Sequence, residues 1–177
     1  MAEQISAQAQ MAYERKDYQT AARLFRQAAE AHQIQGDLLS AAEMMNNCCV
    51  AHLLAENYQE ALDCVIGTEE VFAQSGDLRR RAIALGNQAA ALAGLKRFKE
   101  AEEFYRRSGD LLRQLGDDEN YAVVMQSLSR VQLRQGHQLE ALASMQAGVA
   151  HGKKPSLAQR LVRKILRLPL DYLMHES

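Results

Sequence analysis

The stretch Asn57–Gly76, NYQEALDCVIGTEEVFAQSG, decides how the whole chain is read, because its landmarks return one unit upstream and one unit downstream. Tyr58 lies 40 residues after Tyr18 and 40 before Phe98; Ala21, Ala61, Ala101 and Ala141 keep the same interval, as do the pairs Gly36-Asp37, Gly76-Asp77 and Gly116-Asp117. A fixed period of about 20 to 50 residues means stacked supersecondary units, each burying its apolar face on the next. The chain therefore reads as a helical-repeat solenoid.

Working outward, residues 2–15 carry an apolar stripe at Ile5, Ala9, Ala12 and Tyr13, the i, i+4, i+7, i+8 spacing of an amphipathic helix. Asp17 supplies a turn, and a second helix runs from Tyr18 through Ala21, Leu24, Phe25 and Ala28 to about Gln35. Gly36 is suited to closing that helix and Asp37 to capping the next. The same pattern predicts helices over 37–56, 58–75, 77–96, 98–115, 117–135 and 138–151. Linkers of one or two residues within a repeat require antiparallel neighbours. Only two prolines occur, Pro155 and Pro169, so residues 1–152 are free of the residue that most strongly breaks helices. The expected organisation is a repeat domain over 1–152, with repeats at 2–36, 37–76, 77–116 and 117–152. A separate basic amphipathic helix and tail over 153–177 would cap the last repeat.

Composition agrees with an ordinary globular class, at 47% hydrophobic and 24% charged residues with no tryptophan. The net charge of -1 hides an asymmetry, because residues 1–150 hold 15 Lys/Arg against 20 Asp/Glu and residues 151–177 hold 6 against 2. The N-terminus MAEQISAQAQ lacks a signal core, and no run of about 18 apolar residues occurs, so a cytoplasmic location is expected. Three cysteines without framework spacing fit a reducing compartment.

Small residues recur at three sites per repeat: Ala9, Cys49, Ala89 and Ser129 on the first helix; Ala21, Ala61, Ala101 and Ala141, then Ala28, Thr68, Ser108 and Gly148, on the second. A large site between them holds Phe25, Val65, Tyr105 and Met145. Close helix crossing needs small side chains where backbones approach and a bulky knob beside them. This pattern resembles the tetratricopeptide repeat family. The resemblance covers residues 2–151, with a period longer than the family's usual 34 residues. Met45, Leu85 and Met125 stand at the family's tryptophan site, and its proline at the end of the second helix is missing. The chain is similar to the long-repeat branch found in scaffold and adaptor proteins, the kinesin light chains and bacterial peptide-sensing regulators.

The resemblance implies an all-α, right-handed superhelix of about four repeats whose concave wall is built from first helices. Transferred by position, the wall falls on Glu3, Ser6, Gln10, Tyr13 and Glu14, on Glu43, Asn46, Val50, Leu53 and Leu54, on Ile83, Gly86, Ala90, Ala93 and Gly94, and on Val123, Gln126, Arg130, Leu133 and Arg134. Gln10, Tyr13, Asn46, Val50, Leu53, Leu54, Ile83, Ala90, Val123, Gln126, Arg130, Leu133 and Arg134 are the candidate partner-binding residues. The wall is acidic at one end, apolar in the middle and basic at the other. Ser6 and Gln10 replace the lysine and asparagine with which the family's chaperone-binding subclass clamps a carboxylate. An apolar peptide or amphipathic helix suits the centre better.

No nucleotide, nucleophile-elbow or zincin motif occurs, so a non-catalytic module without a cofactor is expected. Cys48 and His52, one helical turn apart, with Cys64 on the neighbouring helix, are the best metal-ligand candidate. Because the other repeats carry no ligands at the Cys48 position, packing is the preferred reading and no metal is assigned. Arg79-Arg80-Arg81 is read as a solvated charge run near the Asp77 cap. The chain is not basic and lacks interleaved aromatics, which argues against nucleic acid. The leading expectation is an interaction module binding a protein or peptide segment in the groove. A self-assembling homo-oligomer and a small peptide or metabolite sensor are the alternatives. The tail places Leu157, Leu161, Ile165 and Leu168 on one face and its arginines on the other, and capping is preferred to membrane docking.

Overall fold

The computed structural model describes residues 1–151, so the expected cap over 153–177 lies outside the described residues. Among the described residues nine helical segments follow one another: α1 (Ala2–Glu14), α2 (Tyr18–Ile34), α3 (Leu38–Leu54), α4 (Tyr58–Val65), α5 (Thr68–Gln74), α6 (Leu78–Gly94), α7 (Phe98–Leu115), α8 (Asp118–Gln135) and α9 (Gln138–His151). There is no strand among the described residues. The fold is an all-α helical-repeat solenoid, with α1, α3, α6 and α8 as first helices and α2, α4 with α5, α7 and α9 as second helices.

The Gly-Asp pairs act as punctuation. Gly36, Gly76 and Gly116 take positive φ angles of 78°, 75° and 66°. Asp37, Asp77 and Asp117 then accept the backbone N–H groups of Ser40, Arg80 and Asn120 at 3.0, 2.9 and 3.3 Å, satisfying donors that each helix start leaves open. Inside the repeats a second device has the same period: Lys16, Glu56, Lys96 and Gly136 all lie in the left-handed region, at φ 63°, 58°, 62° and 82°.

All twelve small positions are buried. Ala9, Cys49, Ala89, Ala21, Ala61, Ala101, Ala28 and Ser108 are at 0% exposure, so no volume is spare at these crossings. The backbones approach closely enough for small hydroxyls to bridge helices. Ser108 Oγ donates to the Ala82 carbonyl and Ser129 Oγ to the Ala141 carbonyl, both at 2.7 Å. Phe25, Val65 and Tyr105 fill the large site as buried knobs, and Met145 is half-buried there.

The expected continuous helix over 58–75 is corrected by the structure. It breaks between α4 and α5, with Ile66 extended (φ -57°, ψ 130°) and Gly67 left-handed (φ 84°). Thr68 Oγ1 bonds the Val65 carbonyl at 2.8 Å, giving a partner to a backbone group at the break. Immediately beyond it, buried Glu69 accepts from Arg81 Nε at 2.7 Å and from Arg107 at 2.6 Å. That clamp ties α5 to α6 and α7.

α3 packs on α6 and α6 on α8, whereas successive second helices have no comparable packing among the described residues. First helices that crowd together while second helices splay apart form the inner wall of a curved stack.

Candidate functional site

Two hollows lie on the inner wall among the described residues. One, of about 150 Å³, lies between α1 and α3 and is lined by Gln10, Tyr13, Asn47 and Val50, with Phe25 of α2 as its floor. The other, of about 170 Å³, lies between α6 and α8. Its walls are Ile83, Asn87, Ala90, Val123 and Ser127, and its floor includes Tyr105 and Leu112 of α7. Both floors are the buried knobs of second helices, so the repeat geometry that packs the core also shapes the inner surface.

Of the thirteen candidate groove residues, Gln10, Tyr13 and Val50 meet in the first hollow and Ile83, Ala90 and Val123 in the second. Tyr13 is held edge-on against Tyr18, with ring centroids 5.8 Å apart, and Gln10 Nε2 donates to Glu14 at 3.1 Å. Asn46 and Gln126 line neither hollow. Asn46 Oδ1 instead accepts from Asn87 Nδ2 at 3.0 Å, joining α3 to α6 between the hollows. Leu53 is half-buried against the core, and Leu54, Arg130, Leu133 and Arg134 are exposed.

Gly94, a wall position by transfer, serves a crossing: a Cβ there would run into the Tyr58 ring. Glu43, at the acidic end, is paired with Arg80 at 3.1 Å, which leaves Glu3 and Glu14 as the main negative charges of that end.

The residues missed in the sequence follow a rule. Asn47, Asn87 and Ser127 line the hollows and stand 40 residues apart, one place beyond the transferred positions Asn46, Gly86 and Gln126, of which Gly86 also lines the second hollow. A single helix face repeats at i, i+4 and i+7, which selects 83, 87 and 90 or 123, 127 and 130. The spacing of these polar residues was the available signal.

The arginine run is engaged within the molecule. Arg79 pairs with Asp117 at 2.9 Å, Arg80 with Glu43 and Asp77 at 3.1 and 3.5 Å, and Arg81 with Glu69 at 2.7 Å. These acids belong to the second, third and fourth repeats. The run is a set of internal ties.

Cys48, His52 and Cys64 come together, with their ligand atoms all within 4.8 Å of one another. Cys48 Sγ lies 2.7 Å from Cys64 Sγ, and Arg26 donates to Cys64 Sγ at 3.2 Å. The hydrogen bond from Cys48, reinforced by the Arg26 guanidinium, holds Cys64 below the usual thiol range. That same bond and burial push Cys48 up. Burial, with a smaller contribution from the Cys64 charge, takes Cys49 up to about 12. Desolvation, with Arg26 nearby, lowers His52 and favours its neutral imidazole.

Stacked antiparallel hairpins with small residues at every crossing and an open, hollowed inner wall define a helical-repeat scaffold. The family model described as Tetratricopeptide repeat matches residues 80–154. Consecutive hairpins of the same construction on both sides of residue 80 support a tetratricopeptide-repeat-type architecture for the chain. Repeats of this type serve generally as protein–protein interaction modules. No curated protein matches the chain. No helix among the described residues is long and apolar enough to cross a membrane.

Proposed function

We propose that this protein is a non-catalytic adaptor that binds a segment of a partner protein along its inner wall, seating side chains in the two hollows. The observation that carries this reading is the pair of hollows between successive first helices, with apolar floors and polar rims at Asn47, Asn87, Asn120 and Ser127. The first helices that line them also expose apolar side chains, Val123 at 59%, Leu133 at 52% and Leu54 at 48%. Apolar pockets with a few placed polar groups suit alternating or helical anchors of a peptide, and the amides supply partners for its backbone. Arg130 and Arg134 at one end and Glu3 and Glu14 at the other favour a segment with an acidic and a basic end, oriented accordingly.

The test is affinity capture with the intact chain, followed by binding measurements on the recovered protein. Val123→Glu together with Arg130→Glu changes two exposed wall positions, so the fold should be retained by circular dichroism while partner affinity is lost. Glu103→Lys, on the exposed side of α7, should bind as the parent does. Undiminished affinity in the folded wall variant would overturn the groove reading.

A homo-oligomer is the second reading, favoured by Leu139 and Leu142 of α9, which are 81% and 41% exposed. Light scattering on the intact chain separates it from a monomeric adaptor.

A further inference from the structure

The second repeat differs from the other three at a linked set of positions. Where it has Cys48, His52 and Cys64, the first repeat has Gln8, Ala12 and Leu24, the third Gln88, Leu92 and Phe104, and the fourth Leu128, Gln132 and Ser144. The repeat architecture itself makes these positions converge. In the fourth repeat the equivalents of His52 and Cys64 are in direct contact, with Ser144 Oγ donating to Gln132 Oε1 at 2.7 Å. The second repeat thus places two thiols and an imidazole where the fourth places a buried hydrogen bond.

Three further features set this cluster apart from ordinary buried cysteines. Cys48 and Cys64 are 0% and 1% exposed, yet their sulfurs are 2.7 Å apart, so two proton-bearing sulfurs crowd one spot. His52 Nδ1 is buried with no hydrogen-bond partner among the described residues, an unpaired polar atom of the kind that folding ordinarily penalises. Arg26 reaches from α2 to donate to Cys64 Sγ, the contact by which outer groups orient and stabilise a ligating thiolate.

We propose that Cys48 Sγ, Cys64 Sγ and His52 Nδ1 bind a thiophilic d¹⁰ cation, with Zn²⁺ as the reference ion. Soft thiolates and imidazole are the donor set that such an ion selects, and three protein ligands leave a fourth position for water or an incoming group. Two thiolates balance the charge of the dication within the buried site, and the thiol protons pass to solvent as the metal–sulfur bonds form. The ion would join α3 to α4 just before the Ile66-Gly67 break, stiffening the repeat that carries the shortest second-helix segments. Arg26 is a positioning residue in this arrangement.

The experiment is a titration of the intact, reduced chain with Co²⁺ under anaerobic conditions, followed by Zn²⁺. A one-to-one complex with thiolate-to-cobalt charge-transfer absorption is expected, bleached by equimolar Zn²⁺. Zn²⁺ should also raise the melting temperature. Cys64→Ser and His52→Leu should lose the absorption while the metal-free proteins keep their helical circular dichroism; leucine already stands at the His52 position in the third repeat. Cys49→Ala, which matches the first repeat, should bind as the parent does. Arg26→Gln should weaken binding about ten- to a hundredfold without abolishing it. Absence of a charge-transfer band at saturating Co²⁺ would overturn the site. So would a band unchanged in Cys64→Ser and His52→Leu, or a pair of thiols that only forms a Cys48–Cys64 disulfide in air and takes up no metal when reduced.

Discussion

Ala61 and Ala101 are at 0% exposure because each lies where two helix backbones approach most closely, and their spacing of 40 is what first identified the repeat. Ala61→Leu or Ala101→Leu should destabilise the protein by about 1–3 kcal/mol through overpacking, read as a lower denaturation midpoint. Glu69 tests a different kind of contact. Burial raises its carboxyl pKa, but the bonds from Arg81 and Arg107 outweigh burial and hold it below the usual carboxylate range. A depressed folded-state pKa gives stability that is present above the unfolded value and lost as pH falls through the folded one. Glu69→Gln should therefore cost about 1–2 kcal/mol at neutral pH, a figure discounted for the partly solvated arginines. The difference from the parent should close as the pH is lowered below about 4, in parallel urea titrations.

At the scale of elements, eight helical runs were legible because caps, small sites and knobs all share one period, and consistent local signals leave little choice of fold. The break in the fourth run was not legible. Gly109 and Gly148 sit inside unbroken α7 and α9, so a glycine in a second helix is no signal by itself; what distinguishes Gly67 is its left-handed φ of 84°, a tertiary outcome. The hollows were half legible for a related reason. Family positions fall on helices that line the hollows, but which face turns inward is fixed by helix rotation, and the polar rims hold Asn47 and Ser127 rather than Asn46 and Gln126. A prediction belongs to the break. A Cβ on Gly67 would meet nothing within 4 Å, so Gly67→Ala carries a backbone cost alone. It should destabilise by about 1–2 kcal/mol. Gly67→Asn, which tolerates the left-handed region better, should cost less; equal costs in thermal melts would place the strain in packing rather than in φ.

At the scale of the molecule, a stack of repeats ends wherever its last apolar face is covered. α9 leaves Leu139 81% and Leu142 41% exposed, while Val149 on the same helix is buried, so this end of the described solenoid carries apolar surface that the inner repeats do not need. The sequence that follows segregates Leu157, Leu161, Ile165 and Leu168 from Arg160, Arg163, Lys164 and Arg167, a pattern suited to laying an apolar stripe on that face with the charges in water. Terminal repeats need a polar outer surface for solubility, so deleting residues 153–177 should lower the melting temperature or cause concentration-dependent association in light scattering. The same basic stripe is suited to anionic lipid, and the two uses make opposite predictions. A cap keeps its apolar face occupied, so the intact chain should stay in the supernatant when spun with phosphatidylserine vesicles. Sedimentation with those vesicles that disappears on deletion, together with an unchanged melting temperature for the shortened chain, would assign the segment to a membrane surface instead.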